Sequence, residues 1–327
     1  MLVNKTYIRK MNKMAKARVP FLFIIDFLGL TPLIYPLNSL PDTLRFSTPG
    51  FPDSINNPVK ESLSLKKHPV SFSEYSEKYM QIRQHIDHGN TFLVNLTQAT
   101  RLEINWSLEE IYSNSHAPYK LLIKNQFVVF SPETFVRSKG LRIETFPMKG
   151  TIDASVEDAH NIILNDKKEK AEHFTIVDLM RNDLSSVALN VEVVDFRYID
   201  KIITHEKEIL QVSSKIAGEL PENHLDNMGD WLFRLLPAGS ITGAPKEKTL
   251  EILTEVEGYK RGYYTGVFGV FDGLNIDSAV MIRYIEKGPD GLIFKSGGGI
   301  TYRSEPEKEY QELKDKVYVP IIGNNPH

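Results

Sequence analysis

The sequence predicts an α+β fold in which neighbouring strands pair mainly antiparallel. Three observations carry this. Strand-like runs follow one another with short turns, helices stand between such runs, and no glycine-rich strand–turn–helix fingerprint marks a parallel βαβ unit. The 327 residues are 41% hydrophobic and 25% charged, enough apolar material for a sizeable core.

Taken in order, the start "MLVNKTYIRKMNKMAKARVPFLFIIDFLGL" imitates a signal peptide, with basic residues before an apolar run. Asp26 cuts that run, no small-residue cleavage site follows, and it is too short to span a bilayer. "FLFIIDF" reads as a buried first strand and the expected compartment is the cytoplasm. "YPLNSLPDTLRFSTPGFPDSINNP" reads as an irregular connection. Phe72, Tyr75, Tyr79, Ile82 and Ile86 recur at helical spacing and Gly89 can stop that helix. "TFLVNLTQATRLEI" and "FVVFSPETFVRS" read as strands around a helix at "SLEEIYSN". "KGLRIETFPMKG" reads as a strand pair turning at Lys139-Gly140. The next helix carries Ile176, Leu179, Met180 and Leu184 on one face. "VEVVDFRYI" and "EILQVSSKIAGEL" read as strands, and Pro245 can open a helix over "APKEKTLEILTEVE". A run of strands from "GYYTGVFGVFDG" to "GLIFKSGGGIT" follows, and "PEKEYQELKDKVYVP" closes as a helix.

Composition excludes several classes. A formal net charge of −3 gives no global field toward nucleic acid or an acidic membrane. The absence of cysteine removes disulfides, thiolate metal sites and cysteine nucleophiles. "GSITGAPK" fails as a phosphate loop because Ala244 and Pro245 stand between Gly243 and Lys246. "KSGGGIT" sits in a strand run and is no dinucleotide fingerprint. Their glycines can still let backbone N–H groups approach a small anion.

Two helices carry acids three residues apart, Glu169 with Glu172 and Glu309 with Glu312. Residues at that spacing share a helix face. Such pairs are common on solvated surfaces, but two such faces meeting would make an all-oxygen site of the kind that suits Mg²⁺.

The segments "FLVNLT", "SPETF", "PMKGT", "KEKAEHFTIVDLMRNDL", "PAGSITGAPK", "YYTGVFG", "AVMIRY" and "SGGGITYRSEPEKEYQELKDK" stand in this order. The array resembles the chorismate-utilising enzymes, over about residues 72–318 of one catalytic domain whose N-terminal region, about 1–71, is shortened. The resemblance implies a four-layer α-β-β-α sandwich of two largely antiparallel sheets. It implies Glu172 and Glu312 as Mg²⁺ ligands, with Glu169 and Glu309 acting through water. Glu133 matches the general acid for the departing C4 hydroxyl, a role that needs a protonated carboxyl. Tyr264, Arg283, Gly298 and Lys316 match positions that hold the substrate carboxylates, and Thr242 and Gly243 the wall beside the ring. Arg181, Asn182 and Asp183 read as structural, and His173 as a neighbour of the metal glutamate rather than a ligand.

Within that family, the slot of Lys149 resembles alanine in anthranilate and isochorismate synthases and lysine in aminodeoxychorismate synthases. An enzyme lysine can add at C2 as the C4 hydroxyl leaves, and ammonia can then add at C4 and expel it. That needs a neutral amine, against an ordinary lysine pKa of about 10.4. Leu93 stands where water-adding relatives carry lysine and amine-adding ones usually glutamine; leucine cannot deprotonate water, and it also removes a polar group that most amine-adding relatives keep. Two further departures are Gln211, where the family usually has histidine, with His205 out of register, and a short N-terminal region without a tryptophan-binding Leu-Leu-Glu-Ser motif. The expected activity is that of aminodeoxychorismate synthase component I, making 4-amino-4-deoxychorismate for p-aminobenzoate and folate. Its ammonia would come from a separate glutamine amidotransferase. The alternatives are anthranilate synthase component I, which Lys149 opposes, and a non-catalytic chorismate- or metal-binding subunit, which the intact acids oppose.

Overall fold

The computed structural model describes residues 5–53, 61–203 and 208–321. The chain divides into two compact units that interleave in sequence, and each holds one large sheet. Every strand pairing with a described register is antiparallel, as the sequence predicts.

The first unit comprises Met1–Leu37, Glu133–Ser240 and Phe268–Ala279. Its sheet has nine strands. In spatial order they run Met148–Asp153, Glu208–Glu219, Arg142–Thr145, Thr134–Lys139, Ile276–Val280, Val267–Phe271, Phe21–Ile25 and Leu33–Pro36. Leu189–Ile203 also pairs with Glu208–Glu219. Phe21–Ile25 is buried at all five positions, as its unbroken apolar run requires. The acid that interrupts this run closes a turn: the Asp26 carboxylate accepts the backbone N–H groups of Leu30 and Thr31. Pro36 lies on the strand at one end of the order, where a missing N–H costs no ladder bond.

The leader-like start is a helix, Lys5–Lys16, which the sequence reading did not anticipate. Its basic residues face water while Met11 and Ala15 are buried. It packs on Met228–Arg234 so closely that a Cβ at Gly229 would lie 2.6 Å from the Ile8 carbonyl oxygen. Helix Lys167–Ser185 starts on Asp166, whose side chain accepts the Glu169 N–H. Ile176, Met180 and Leu184 are buried on it, as their spacing predicts, and Leu179 is half-buried. Arg181 pairs with Asp178 on an exposed face.

The second unit comprises Asn38–Pro132, Ile241–Val267 and Val280–His327. Its sheet has eight strands. The order is Gly243–Ala244, Leu93–Ile104, Gly291–Thr301, Tyr284–Gly288, Phe127–Ser131, Tyr119–Ile123 and Leu44–Ser47, with Leu65–His68 added on Leu93–Ile104. The ladder between Leu93–Ile104 and Gly291–Thr301 runs unbroken from Thr301↔Leu93 to Leu292↔Leu102. Helix Phe72–Asp87 buries Tyr75, Tyr79, Ile82 and Ile86, as predicted, while Phe72 stays exposed. A capping box of Ser107 and Glu110 starts Leu108–Asn114. Pro306 sits in the first turn of Pro306–Asp315. The stretch read as irregular holds the strand Leu44–Ser47 and the end of Leu33–Pro36, segments too short and too close to prolines for their alternation to show. No described helix is long and apolar enough to cross a membrane.

Candidate functional site

In the first unit, Lys149 lies on Met148–Asp153 where the pairing with Glu208–Glu219 breaks. Met148 faces Ser213 and Thr151 faces Gln211, so Lys149 and Gly150 fall in a bulge. Gly150 has φ +88°, a conformation that favours glycine. A Cβ there would come within 3.2 Å of Glu169 Oε2. The bulge aims Lys149 at helix Lys167–Ser185, where Nζ lies 2.7 Å from Glu172 Oε2. The lysine side chain is 25% exposed and the glutamate 8%, so this is no solvated loop charge. Lys149, Gly150, Glu169 and Glu172 are thus brought together, and Gln211 sits across the ladder two residues from the lysine. His205 lies outside the described residues.

His173, next to Glu172, is fully buried and its Nε2 lies 2.7 Å from Ser214 Oγ. Burial lowers its pKa to about 4, with the nearby Arg197 charge acting in the same direction and the Lys149 backbone opposing. The ring is therefore neutral near pH 7.

Glu133 precedes Thr134–Lys139 and is half-buried. Ser240, in the turn Gly239–Ile241, donates its hydroxyl to Glu133 Oε1 at 2.6 Å. No local pattern marks this partner, because 107 residues separate the two.

In the second unit, Gly298 faces helix Pro306–Asp315. A Cβ at Gly298 would lie 3.6 Å from Glu309 Oε2, 3.9 Å from Lys316 Nζ and 4.0 Å from Glu312 Oε1. Lys316 Nζ is 2.7 Å from Glu312 Oε1 and donates to the Gly297 carbonyl at 2.9 Å. Gly298, Glu309, Glu312 and Lys316 therefore form one cluster. Buried Tyr75 stands beside it: burial raises its pKa, and the charges of Glu309 and Glu312 raise it further. Leu93 is buried, with Cδ1 3.2 Å from where a Cβ of Gly299 would stand. Position 93 is thus filled by hydrocarbon packed beside a glycine strand.

Thr242 and Gly243 pass alongside Leu93–Ile104. Gly243 has φ +130° and a Cβ there would lie 2.0 Å from the Leu93 carbonyl oxygen, so only glycine fits. The Thr242 carbonyl accepts the Asn95 N–H. Arg261 holds this segment from beneath, donating to the carbonyls of Ile241 and Asn95 and, through Nε and Nη2, to both oxygens of Glu257. Tyr264 is buried against Tyr284, with ring centroids 5.7 Å apart. Arg283, at φ +53°, lies 5.1 Å from the Tyr318 ring centroid.

The carboxylate pairs offer hard oxygen donors of the kind Mg²⁺ prefers. Among the described residues, no group of three or more His, Asp or Glu side chains could hold a metal ion. In each pair one glutamate is instead salt-bridged to a lysine, Glu172 to Lys149 and Glu312 to Lys316. An arriving cation would compete with those ammonium groups.

A family model described as chorismate binding enzyme matches residues 51–321. An uncharacterized PabA-like protein of Haemophilus influenzae is 49% identical, over 97% of this chain and 97% of that one. Anthranilate synthase component 1 1 of Haloarcula marismortui is 33% identical over 84% of this chain and 58% of its own length. Aminodeoxychorismate synthase component 1 of Bacillus subtilis is 32% identical over 76% and 55%. The fold is shared with the menaquinone-specific isochorismate synthase of Escherichia coli, at a TM-score of 0.73 and 16% identity over 95% of this chain and 80% of that one.

Proposed function

The chain belongs to the family of chorismate binding enzymes, and we propose that within it the chain aminates C4 of chorismate, as an aminodeoxychorismate synthase component I. The observation that carries this reading is Lys149, largely buried in a strand bulge and 2.7 Å from Glu172. Overall identity does not choose, since anthranilate and aminodeoxychorismate synthases match this chain about equally, at 33% and 32%. Lys149 favours C4 amination over anthranilate formation, and Leu93 argues against the addition of water.

The reaction proposed has two displacements. The Lys149 amine, having lost its proton, adds its electron pair at C2. The ring double bond shifts and the C4 hydroxyl departs as water, taking a proton from Glu133. Ammonia then adds at C4, and the bond between C2 and Lys149 breaks, returning the electron pair to the amine. Chorismate and ammonia become 4-amino-4-deoxychorismate and water. Lys316 and Arg283 supply positive charge for the substrate carboxylates, Gly298 leaves room beside Lys316, Tyr264 is a further contact, and Thr242 and Gly243 border the ring. Mg²⁺, held by Glu172 and Glu312 with Glu169 and Glu309 assisting through water, would bind the ring carboxylate and draw charge from the ring. Having no cysteine, this chain cannot release ammonia from glutamine by a thiol route, so the donor is proposed to be a separate glutamine amidotransferase. The product would feed p-aminobenzoate and folate synthesis.

Chromatography of reactions with chorismate, Mg²⁺ and an ammonium salt tests the reading. The expected product is 4-amino-4-deoxychorismate, and anthranilate or unchanged chorismate would each overturn it. Without ammonium, Leu93 predicts no isochorismate; isochorismate as a principal product would mean that another residue activates water. For the metal, Glu312→Ala is expected to fold, because the side chain is 44% exposed, and to lose turnover at limiting Mg²⁺. Mn²⁺ binding read by electron paramagnetic resonance should weaken in parallel. Unchanged binding and turnover would remove Glu312 from the ligand set.

A further inference from the structure

We propose that Ser240 is a positioning residue for Glu133, holding the carboxyl where it delivers its proton, and that the end of helix Lys167–Ser185 sets the place of Ser240. The inference rests on the proposed function for the role of Glu133 at C4. Glu133 is the residue before Thr134–Lys139, whose described pairing begins at Thr134 with Ala279. A glutamate has three rotatable side-chain bonds, so contacts at the carboxyl itself must keep it in one place. Ser240 Oγ supplies one of them, 2.6 Å from Oε1.

A hydroxyl suits a group that changes its protonation state. An ionised carboxylate only accepts, so the serine then donates; towards a protonated carboxyl it can donate or accept. The contact therefore persists whichever group holds the hydrogen. It strengthens as charge develops on the carboxyl, because hydrogen bonds to charged groups are the stronger kind. In the step concerned, the proton passes from Glu133 to the C4 oxygen, the carbon–oxygen bond breaks, and its electron pair leaves on water. Glu133 ends as the carboxylate to which Ser240 donates.

The turn that carries Ser240, Gly239–Ile241, is placed by the helix. A Cβ at Gly239 would stand 2.8 Å from Asp183 Oδ2 and 3.0 Å from Leu179 Cγ, a closeness that only glycine allows. Asp183, expected from the sequence to serve the helix end, thus also borders this turn. A cleft lined by Phe135, Val136, Met180, Leu184 and Leu235 lies beside it, so on that side the turn has no close-packed core behind it. The Asp183 contact and the bond from Ser240 carry its position instead.

The test is a double-mutant cycle on the full chain with chorismate, Mg²⁺ and an ammonium salt, following chorismate consumed. Ser240→Ala is expected to lower kcat about ten- to a hundred-fold at unchanged KM, the size of one hydrogen bond to a charged group. Ser240→Thr keeps the hydroxyl and is expected to stay near wild type. Glu133→Gln keeps a partner for Ser240 but has no acid proton to give. Adding Ser240→Ala to Glu133→Gln is therefore expected to change the residual rate no further. Wild-type kcat in Ser240→Ala overturns the proposal. So does a double variant that loses the full Ser240→Ala factor again, which marks a serine serving the fold or the substrate directly. Product identity is read separately by chromatography. Anthranilate with a non-additive cycle would sink the proposed function and leave the positioning role standing, and 4-amino-4-deoxychorismate with an additive cycle would do the reverse.

Discussion

Lys149→Ala is expected to fold, to form no covalent adduct and to lose C4 amination by roughly 10²–10⁴-fold, the range that removal of a positioned catalytic group costs. The fold should survive because the lysine reaches a partner rather than filling a core, and the bulge conformation is set by Gly150. Some stability is lost where Glu172, 8% exposed, gives up its cationic partner. In the wild type without ammonia, the first displacement can occur and the second cannot. A chorismate-derived adduct should then accumulate and map to Lys149. Lys149→Arg should preserve the charge beside Glu172 and still fail, because a guanidinium stays protonated and offers no electron pair. The contrast separates a lysine needed for its charge from one needed as a nucleophile. Wild-type amination by Lys149→Ala with an ammonium donor would return the residue to a simple ion-pair role.

Much of the fold was legible because its elements advertise themselves locally. The alternating and continuous apolar runs from Phe21 to Ile25 and from Leu93 to Ile104 are strands, and Tyr75, Tyr79, Ile82 and Ile86 share a buried helix face. Helix Lys5–Lys16 was not legible: six of its twelve residues are Lys, Arg or Asn, and its burial rests on Met11 and Ala15 alone. At the site, the ordered motifs pointed to Lys149, Glu172, Glu312 and Gly298, and the structure brings Lys149 to Glu172 and Gly298 to Glu312. What no local pattern could supply was partner choice across distance. Ser240 reaches Glu133 and Ser214 reaches His173 through folding, and nothing in the residues beside either serine marks such a bond. The salt bridge from Lys149 to Glu172 was hidden for the same reason.

Glu257 and Arg261 are the sharpest case, because in sequence they are an ordinary pair four residues apart of the kind that decorates exposed helices. In the structure they are 4% and 3% exposed. Arg261 spends all five N–H donors, on Glu257 Oε1 and Oε2, the Ile241 and Asn95 carbonyls and Thr265 Oγ1. Glu257 Oε1 also accepts the backbone N–H and hydroxyl of Thr97. Arg261→Met is expected to cost about 3–5 kcal/mol, because it strands a buried carboxylate without its counter-charge and leaves two backbone carbonyls undersupplied. Glu257→Gln should cost less, since the amide oxygen can still serve Thr97 while the guanidinium keeps its carbonyls. Urea denaturation of the two variants checks the order. The same change should reach the site, since the Ile241 carbonyl held by Arg261 immediately precedes Thr242 and Gly243. Arg261→Met that still folds at low temperature should therefore bind chorismate more weakly, read as a higher KM. A destabilisation within about 0.5 kcal/mol, the usual size for a surface substitution, would show that this buried pair behaves as an exposed one.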